Sequence, residues 1–171
     1  MSNKLELWDA YKADGTLAGF DLVRGEKIPA GYFHMVCEAV IQHVDGDYLL
    51  MQRSFEKEVY PGAWEIGAGG SALKGEDKLQ AVLREVREET GIDTGELEEI
   101  YQLVREKQQA IYYGYLLKTD YAKDAIKLQE GETIDYKWLK KEEFIEFFDA
   151  NQATPNQTER LKDFVDTIRS E

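Results

Sequence analysis

The chain has 171 residues, enough for one domain with a real core, and 43% hydrophobic content with three tryptophans argues against disorder. Its formal charge of −13 excludes long-range attraction to a nucleic-acid polymer or an anionic membrane; a small phosphorylated ligand stays open, because a divalent cation inverts the local field. One cysteine, Cys37, allows no internal disulfide, and neither the N-terminal MSNKLELWDAYKADG nor any later run is an apolar leader or span, so a cytoplasmic protein is expected.

LELWDAY (5–11) and FDLV (20–23), joined through DGTLAG (14–19), predict two N-terminal strands over about 5–23. Residues 24–32 read as a polar connection. From 33 to 44 the chain alternates: Phe33, Met35, Cys37, Ala39 and Ile41 take one face, His34, Val36, Glu38 and Val40 the other. DGD (45–47) signals a hairpin into a strand at 48–53. Residues 54–64 read as a loop, and 65–76 as a short strand that becomes glycine-rich. A helix is predicted over 77–90, with Leu79, Val82, Leu83 and Val86 as its apolar stripe and Gly91 as its stop. Strands at 97–106, 110–118 and 134–139 follow. Phe144, Ile145 and Phe148 mark a short helix, and Leu161, Phe164, Val165 and Ile168 a last helix over about 157–169. Strands interspersed with few helices indicate a single α/β (α+β) domain over 1–171, a mixed sheet covered by helices.

The helix at 77–90 ends in REVREETGI. Glu85, Glu88 and Glu89 stand at i, i+3 and i+4, on a side other than the apolar stripe, where their carboxylates can converge. Charged helix faces are commonly just solvated. Three adjoining carboxylates also suit a hard divalent cation, and Mg²⁺ favours a few carboxylates together with substrate phosphates. Arg84 can fix one carboxylate by a fork of hydrogen bonds, Glu76 meets the positive end of the helix dipole, and the glycines of GAGGSALKGE permit tight turns and close approach to backbone.

Gly70, Glu76 and the run from Arg84 to Ile92 match the Nudix box, G-x5-E-x7-R-E-U-x-E-E-x-G-U, at every specified position. The likeness extends to PGAWEIGAGG (61–70) and DYKWLKKEEF (135–144). The N-terminal VRGEKIPAGYFHMVCEAVI and LLMQRS resemble the branch related to isopentenyl-diphosphate isomerase, so the resemblance covers about residues 1–150. It implies the Nudix fold, a mixed β-sheet sandwiched between α-helices, and metal-dependent cleavage of a diphosphate linked to another group. By this resemblance Glu85, Glu88, Glu89 and the Gly69 carbonyl hold Mg²⁺, with Mn²⁺ as a substitute. Glu85 is expected to orient or deprotonate the attacking water, as base or as metal ligand, with Arg84 positioning it. The substrate is then a small-molecule diphosphate.

Substrate contacts are expected from Arg24, His34 and Arg53, with Lys27 a further cation near a distal phosphate. The isomerase relatives use a histidine near the position of His34 for metal, and an ordinary hydrogen-bonded His is the equal alternative. Glu132 and Asp135 are expected to be a polar turn, or else another acidic group of the site. Tyr112, Tyr113 and Tyr115 are expected to pack the sheet, or to stack on a base; Cys37 is expected in the core. Isomerase activity is the alternative function, but the family's cysteine and histidine positions are held by about Gly69 and Ser71. A non-catalytic nucleotide-binding module is a third reading, and a homodimer stays open alongside a monomer.

Overall fold

The computed structural model describes residues 4–171. β1 (Leu7–Tyr11) and β2 (Leu17–Val23) form a separate antiparallel hairpin, whose small core is Trp8, Ala10 and Leu22. It is joined to the next strand by paired backbone bonds between Tyr11 and Phe33 (2.8 and 3.0 Å). The main sheet has seven strands: β3 (His34–His43), β4 (Tyr48–Arg53), β5 (Trp64–Ile66), β6 (Ala68–Ser71), β7 (Glu96–Arg105), β8 (Ala110–Thr119) and β9 (Thr133–Leu139). Its order is β5-β4-β3-β8-β7, with β6 beside β3 and β9 beside β4. β3 and β8 run parallel, from His34 opposite Ala110 to His43 opposite Thr119, and the other pairings are antiparallel.

The alternation of β3 is realised as two buried faces. Met35, Cys37, Ala39 and Ile41 pack with Val82 and Val86 of α1 (Lys78–Thr90). On the opposite face Val40 packs with Phe144 of α2 (Lys141–Asp149) and Leu161 and Val165 of α3 (Pro155–Arg169). Helices therefore cover both faces of a mixed sheet. Phe144 is fully buried and stacks on Tyr48 at 4.4 Å, a contact whose deletion to alanine costs about 3–5 kcal/mol. Pro155 opens α3 at its first turn, where its missing N–H leaves no bond unmade.

Two expectations are corrected. The short strand expected at the start of 65–76 is two strands, and the glycine-rich part belongs to the second: Gly69 and Gly70 lie in β6, opposite Glu38 and Cys37. The stripe of α1 is also displaced. Leu79 and Leu83 are 48% and 45% exposed, and Ala81, Val82, Val86 and Thr90 face inward instead. At about 100° per residue Glu85 and Glu89 fall in the same arc as Val82 and Val86. The inward side of α1 is half apolar and half acidic, which an apolar template cannot find.

β3 and β4 meet at Gln42 and Tyr48 and then part, β3 taking β6 as its neighbour and β4 taking β5. Gly67, at φ 66°, carries the chain across this divergence, and any side chain there would collide with the Ala39 carbonyl. α3 closes the gap from one side. The Gln157 amide accepts from Ile66 N–H and donates to Ile66 C=O, both at 2.9 Å.

Candidate functional site

A cavity of about 560 Å³ lies at the divergence, walled by β6, the last two turns of α1, the loops after β4 and before β9, and the start of α3. α1 is aimed at it by firm ends. Asp77 caps its N-terminus in a capping box with Gln80, and Gly91, in the left-handed region at φ 82°, returns its N–H to Arg87.

Arg84 is engaged on every nitrogen. Nε and Nη2 donate to the two Glu76 oxygens at 2.8 and 3.0 Å, Nη2 also to Ser71 O at 3.1 Å, and Nη1 to Glu85 at 2.9 Å and Glu88 at 3.2 Å. Glu76 thus serves Arg84 and the Leu73 N–H rather than the helix dipole: burial would raise its carboxyl, but these bonds bring it below the usual range. The two glycines of β6 leave no room for a side chain, Gly69 against backbone and Gly70 against a carboxyl group. A Cβ on Gly69 would come within 2.6 Å of Cys37 O, and one on Gly70 within 2.6 Å of the Glu85 carboxyl.

Burial raises the Glu85 carboxyl; Arg84 opposes the rise and the Glu88 charge adds to it. Glu89 is pushed well above the usual carboxylate range, first by burial, then by the charges of Glu85 and Glu65, with the Gly69 N–H opposing. Two part-buried carboxylates side by side cannot both ionise cheaply. Seven acidic and five basic side chains line the cavity. Each base has an acid: Arg24 with Glu6, Arg53 with Glu65, Lys57 with Glu132, Arg84 with Glu85, Arg160 with Glu38. Among the described residues Glu89 has no basic partner. The three box carboxylates do not converge as expected: Arg84 holds Glu88 at the exposed rim, and no group of three His, Cys, Asp or Glu side chains among the described residues already forms a ligand set. The donors are nonetheless all oxygen and short of positive charge, which fits a hard divalent cation.

The other expected residues divide. Arg24, Arg53, Glu132 and Tyr112 line the cavity. Arg24 is 61% exposed and held by Glu6 at 3.1 Å; Arg53 is fixed by Glu65 at 2.8 Å and Val59 O at 2.9 Å. His34 does not line it. Its ring stacks on Trp8 at 4.3 Å with Nδ1 3.3 Å from Ser71 Oγ, and burial, then the Arg24 charge, lowers its pKa to about 4. Lys27 and Asp135 are exposed and lie outside the lining. Tyr113 and Tyr115 pack on the α1 face, with Cys37, whose thiol burial pushes up to about 12.

The NUDIX domain pattern matches residues 34–163. The chain is 33% identical over 159 residues to an uncharacterized Nudix hydrolase of Listeria monocytogenes, covering 86% of this chain and 93% of that one. The chain belongs to the Nudix hydrolase family. It is also 37% identical over 130 residues to the nucleoside triphosphatase NudI of Escherichia coli, covering 69% of this chain and 89% of that one. A crystal structure of DR0079 from Deinococcus radiodurans shares the fold, with TM-score 0.71 and 19% identity over 96% of this chain and 98% of that one. As a Nudix hydrolase, the protein performs hydrolysis of a nucleotide or diphosphate moiety. Among its described residues no helix is long and apolar enough to cross a membrane.

Sequence reasoning for this Nudix hydrolase missed Glu65, Lys57, Arg160 and Gln157, and named Glu38 only as a neighbour of His34. Glu38 carried a readable signal. It is one acid inside an otherwise apolar alternation, and a buried charge requires a partner. That partner, Arg160, is 122 residues away, on a helix whose pattern says nothing of it.

Proposed function

We propose that this Nudix hydrolase is Mg²⁺-dependent, with Mn²⁺ as a substitute, and cleaves a phosphoanhydride bond in a nucleoside diphosphate linked to another moiety or in a similar small diphosphate. The observation that carries this is Glu89, a part-buried carboxylate beside Glu85 with no basic partner among the described residues. Such a group either keeps its proton or is neutralised by a cation, and an all-oxygen cavity short of positive charge favours the cation once a phosphorylated ligand enters.

Glu85, Glu89 and the Gly69 carbonyl would hold the ion, with Glu88 turning in from the rim. When bound, the ion lowers the pKa of a water and draws charge from the phosphoryl oxygens. Arg84 keeps Glu85 pressed on Gly70, so that Glu85 orients the attacking water or accepts its proton. The water oxygen bonds to phosphorus as the anhydride P–O bond breaks, and the electron pair leaves on the departing phosphate. Arg53, Lys57 and Arg24 are the cations at hand for phosphate oxygens.

The isomerase reading loses support at Gly69, where no side chain fits against Cys37 O, and at Cys37, which is buried in the core. We read residues 1–171 as one unit, since the N-terminal hairpin delivers Glu6 and Arg24 to the cavity. The lone buried thiol suits a reducing cytoplasm. The test is product release from a diphosphate library with and without Mg²⁺ for wild type and Glu89→Gln. Metal-dependent turnover that the substitution lowers by about 100-fold or more is expected, on the scale of a lost charge-stabilising group. Equal turnover in EDTA would overturn the reading.

A further inference from the structure

Arg160 is built into the same cavity without being part of the box. Its side chain is 11% exposed. Nε and Nη2 donate to the two oxygens of Glu38 at 2.9 and 2.8 Å, and the guanidinium carbon lies 4.4 Å over the Tyr112 ring. Glu38 is itself held by the Tyr101 hydroxyl. Glu38 and Tyr112 therefore position Arg160 from β3 and β8, and the Gln157 clamp on Ile66 fixes the helix that carries it. After these bonds one edge remains: Nη1 donates to no protein atom among the described residues.

A planar donor edge held rigid over an aromatic ring is a recognition device. Its ligand can be narrowed by chemistry. Unlike Arg24, Arg53 and Lys57, each held by its acid through a single ion-pair contact, Arg160 gives two nitrogens to both oxygens of Glu38 and is the least exposed of the four, so its charge is the most fully matched and a phosphate gains least there. A prenyl chain would meet Arg160, Asn156, Gln157 and Thr154, a polar wall. An uncharged planar group with carbonyl or ring-nitrogen acceptors suits the free Nη1 edge, as a guanidinium edge suits such acceptors on a base.

We propose that Arg160 is a specificity-determining residue that reads an acceptor on the nucleobase of the substrate, positioned by Glu38 and Tyr112. This rests on the hydrolase reading above and deepens it by locating the subsite for the group attached to the phosphates.

The test compares kcat and KM of wild type and Arg160→Lys, with Mg²⁺, on the four common nucleoside triphosphates and on base-less ribose 5-triphosphate. Lysine keeps a charge for Glu38 but loses the planar Nη1 edge. The expected result is a preference among bases in wild type that shrinks by about tenfold or more in the variant, as for a lost charged hydrogen bond. The loss should appear in KM, with turnover of ribose 5-triphosphate unchanged. Tyr112→Leu, which removes the ring and no charge, should flatten the preference likewise, and decides the matter if Arg160→Lys unfolds by circular dichroism. A base preference intact in the folded variants, or a loss shared equally by ribose 5-triphosphate, overturns the assignment and leaves the hydrolase reading standing. A wild-type enzyme that turns over ribose 5-triphosphate and no nucleotide also overturns it. Silence on every phosphoanhydride removes both.

Discussion

Gly70 lies directly against the carboxyl group of Glu85: a Cβ added to Gly70 would stand 2.6 Å from Glu85 Cδ and Oε1. Gly70 has ordinary strand backbone, so alanine brings no backbone strain, and the three atoms nearest its Cβ all belong to the Glu85 carboxyl. Gly70→Ala should fold with little loss of melting temperature and lower kcat on the order of 100-fold, the usual cost of displacing a reacting group by about 1 Å. Steady-state kinetics beside a thermal melt checks this, and normal kcat would detach Glu85 from the chemistry.

Arg84→Gln tests the hub of the acid cluster. It removes the shared partner of Glu76, Glu85 and Glu88, leaving part-buried carboxylates facing one another. A loss of about 3 kcal/mol is expected, the lower end for breaking a buried pair since the rim is solvated. Urea unfolding measures it. Activity should fall further than the unfolded fraction explains.

If Glu85 and Glu89 hold the ion as proposed, their raised carboxyls make metal binding and stability depend on pH together. The folded state holds protons that the unfolded chain releases near the ordinary value of 4.5. Their contribution is therefore unfavourable once pH rises above about 4.5, and grows until the raised folded values are passed. Mg²⁺ should cancel it by favouring the ionised pair. The rise in melting temperature on replacing EDTA by Mg²⁺ is expected to be small at pH 5 and larger at pH 8. A shift equal at both pH values would mean the carboxyls do not bind the ion.

His34 acts in the opposite sense. Its folded pKa of about 4 lies below the ordinary 6.5, so neutral imidazole is preferred in the fold. That preference is fully present above pH 6.5 and is lost as pH falls from 6.5 to about 4, amounting to about 3 kcal/mol. His34→Phe keeps a ring against Trp8 and cannot titrate. Urea midpoints at pH 7 and 4.5, with Mg²⁺ fixed, should fall less in the variant than in wild type. Parallel losses would show that His34 is not the titrating group.

The strands and the box helix were legible because their signals are local. β3 announces itself by period-two alternation, α1 by the Asp77 cap and the Gly91 stop, and the box by spacing alone. What stayed hidden depends on contacts far apart in the chain. Leu79 and Leu83 read as core by hydrophobicity, yet Ala81, Val82, Val86 and Thr90 take the inward side of α1 and leave both leucines largely exposed. The extent of β6 stayed hidden because nothing in 68–71 reveals that β3 lies close enough to forbid a side chain. His34 shared the polar face of β3 with Glu38, but Trp8 claimed its ring, while Glu38 found Arg160. Pairings across 26 and 122 residues leave no periodic trace.

The Gln157 amide that seals Ile66 also guards the protein against its neighbours. Where β3 and β4 splay, β5 is left with a bare hydrogen-bonding margin, the kind of margin that recruits a stray strand from another chain. One side chain mimics that strand and occupies the margin from within. A chain trimmed ahead of α3 would lose this plug together with the core residues Leu161, Val165 and Ile168, and is expected to lose folded stability and turn sticky.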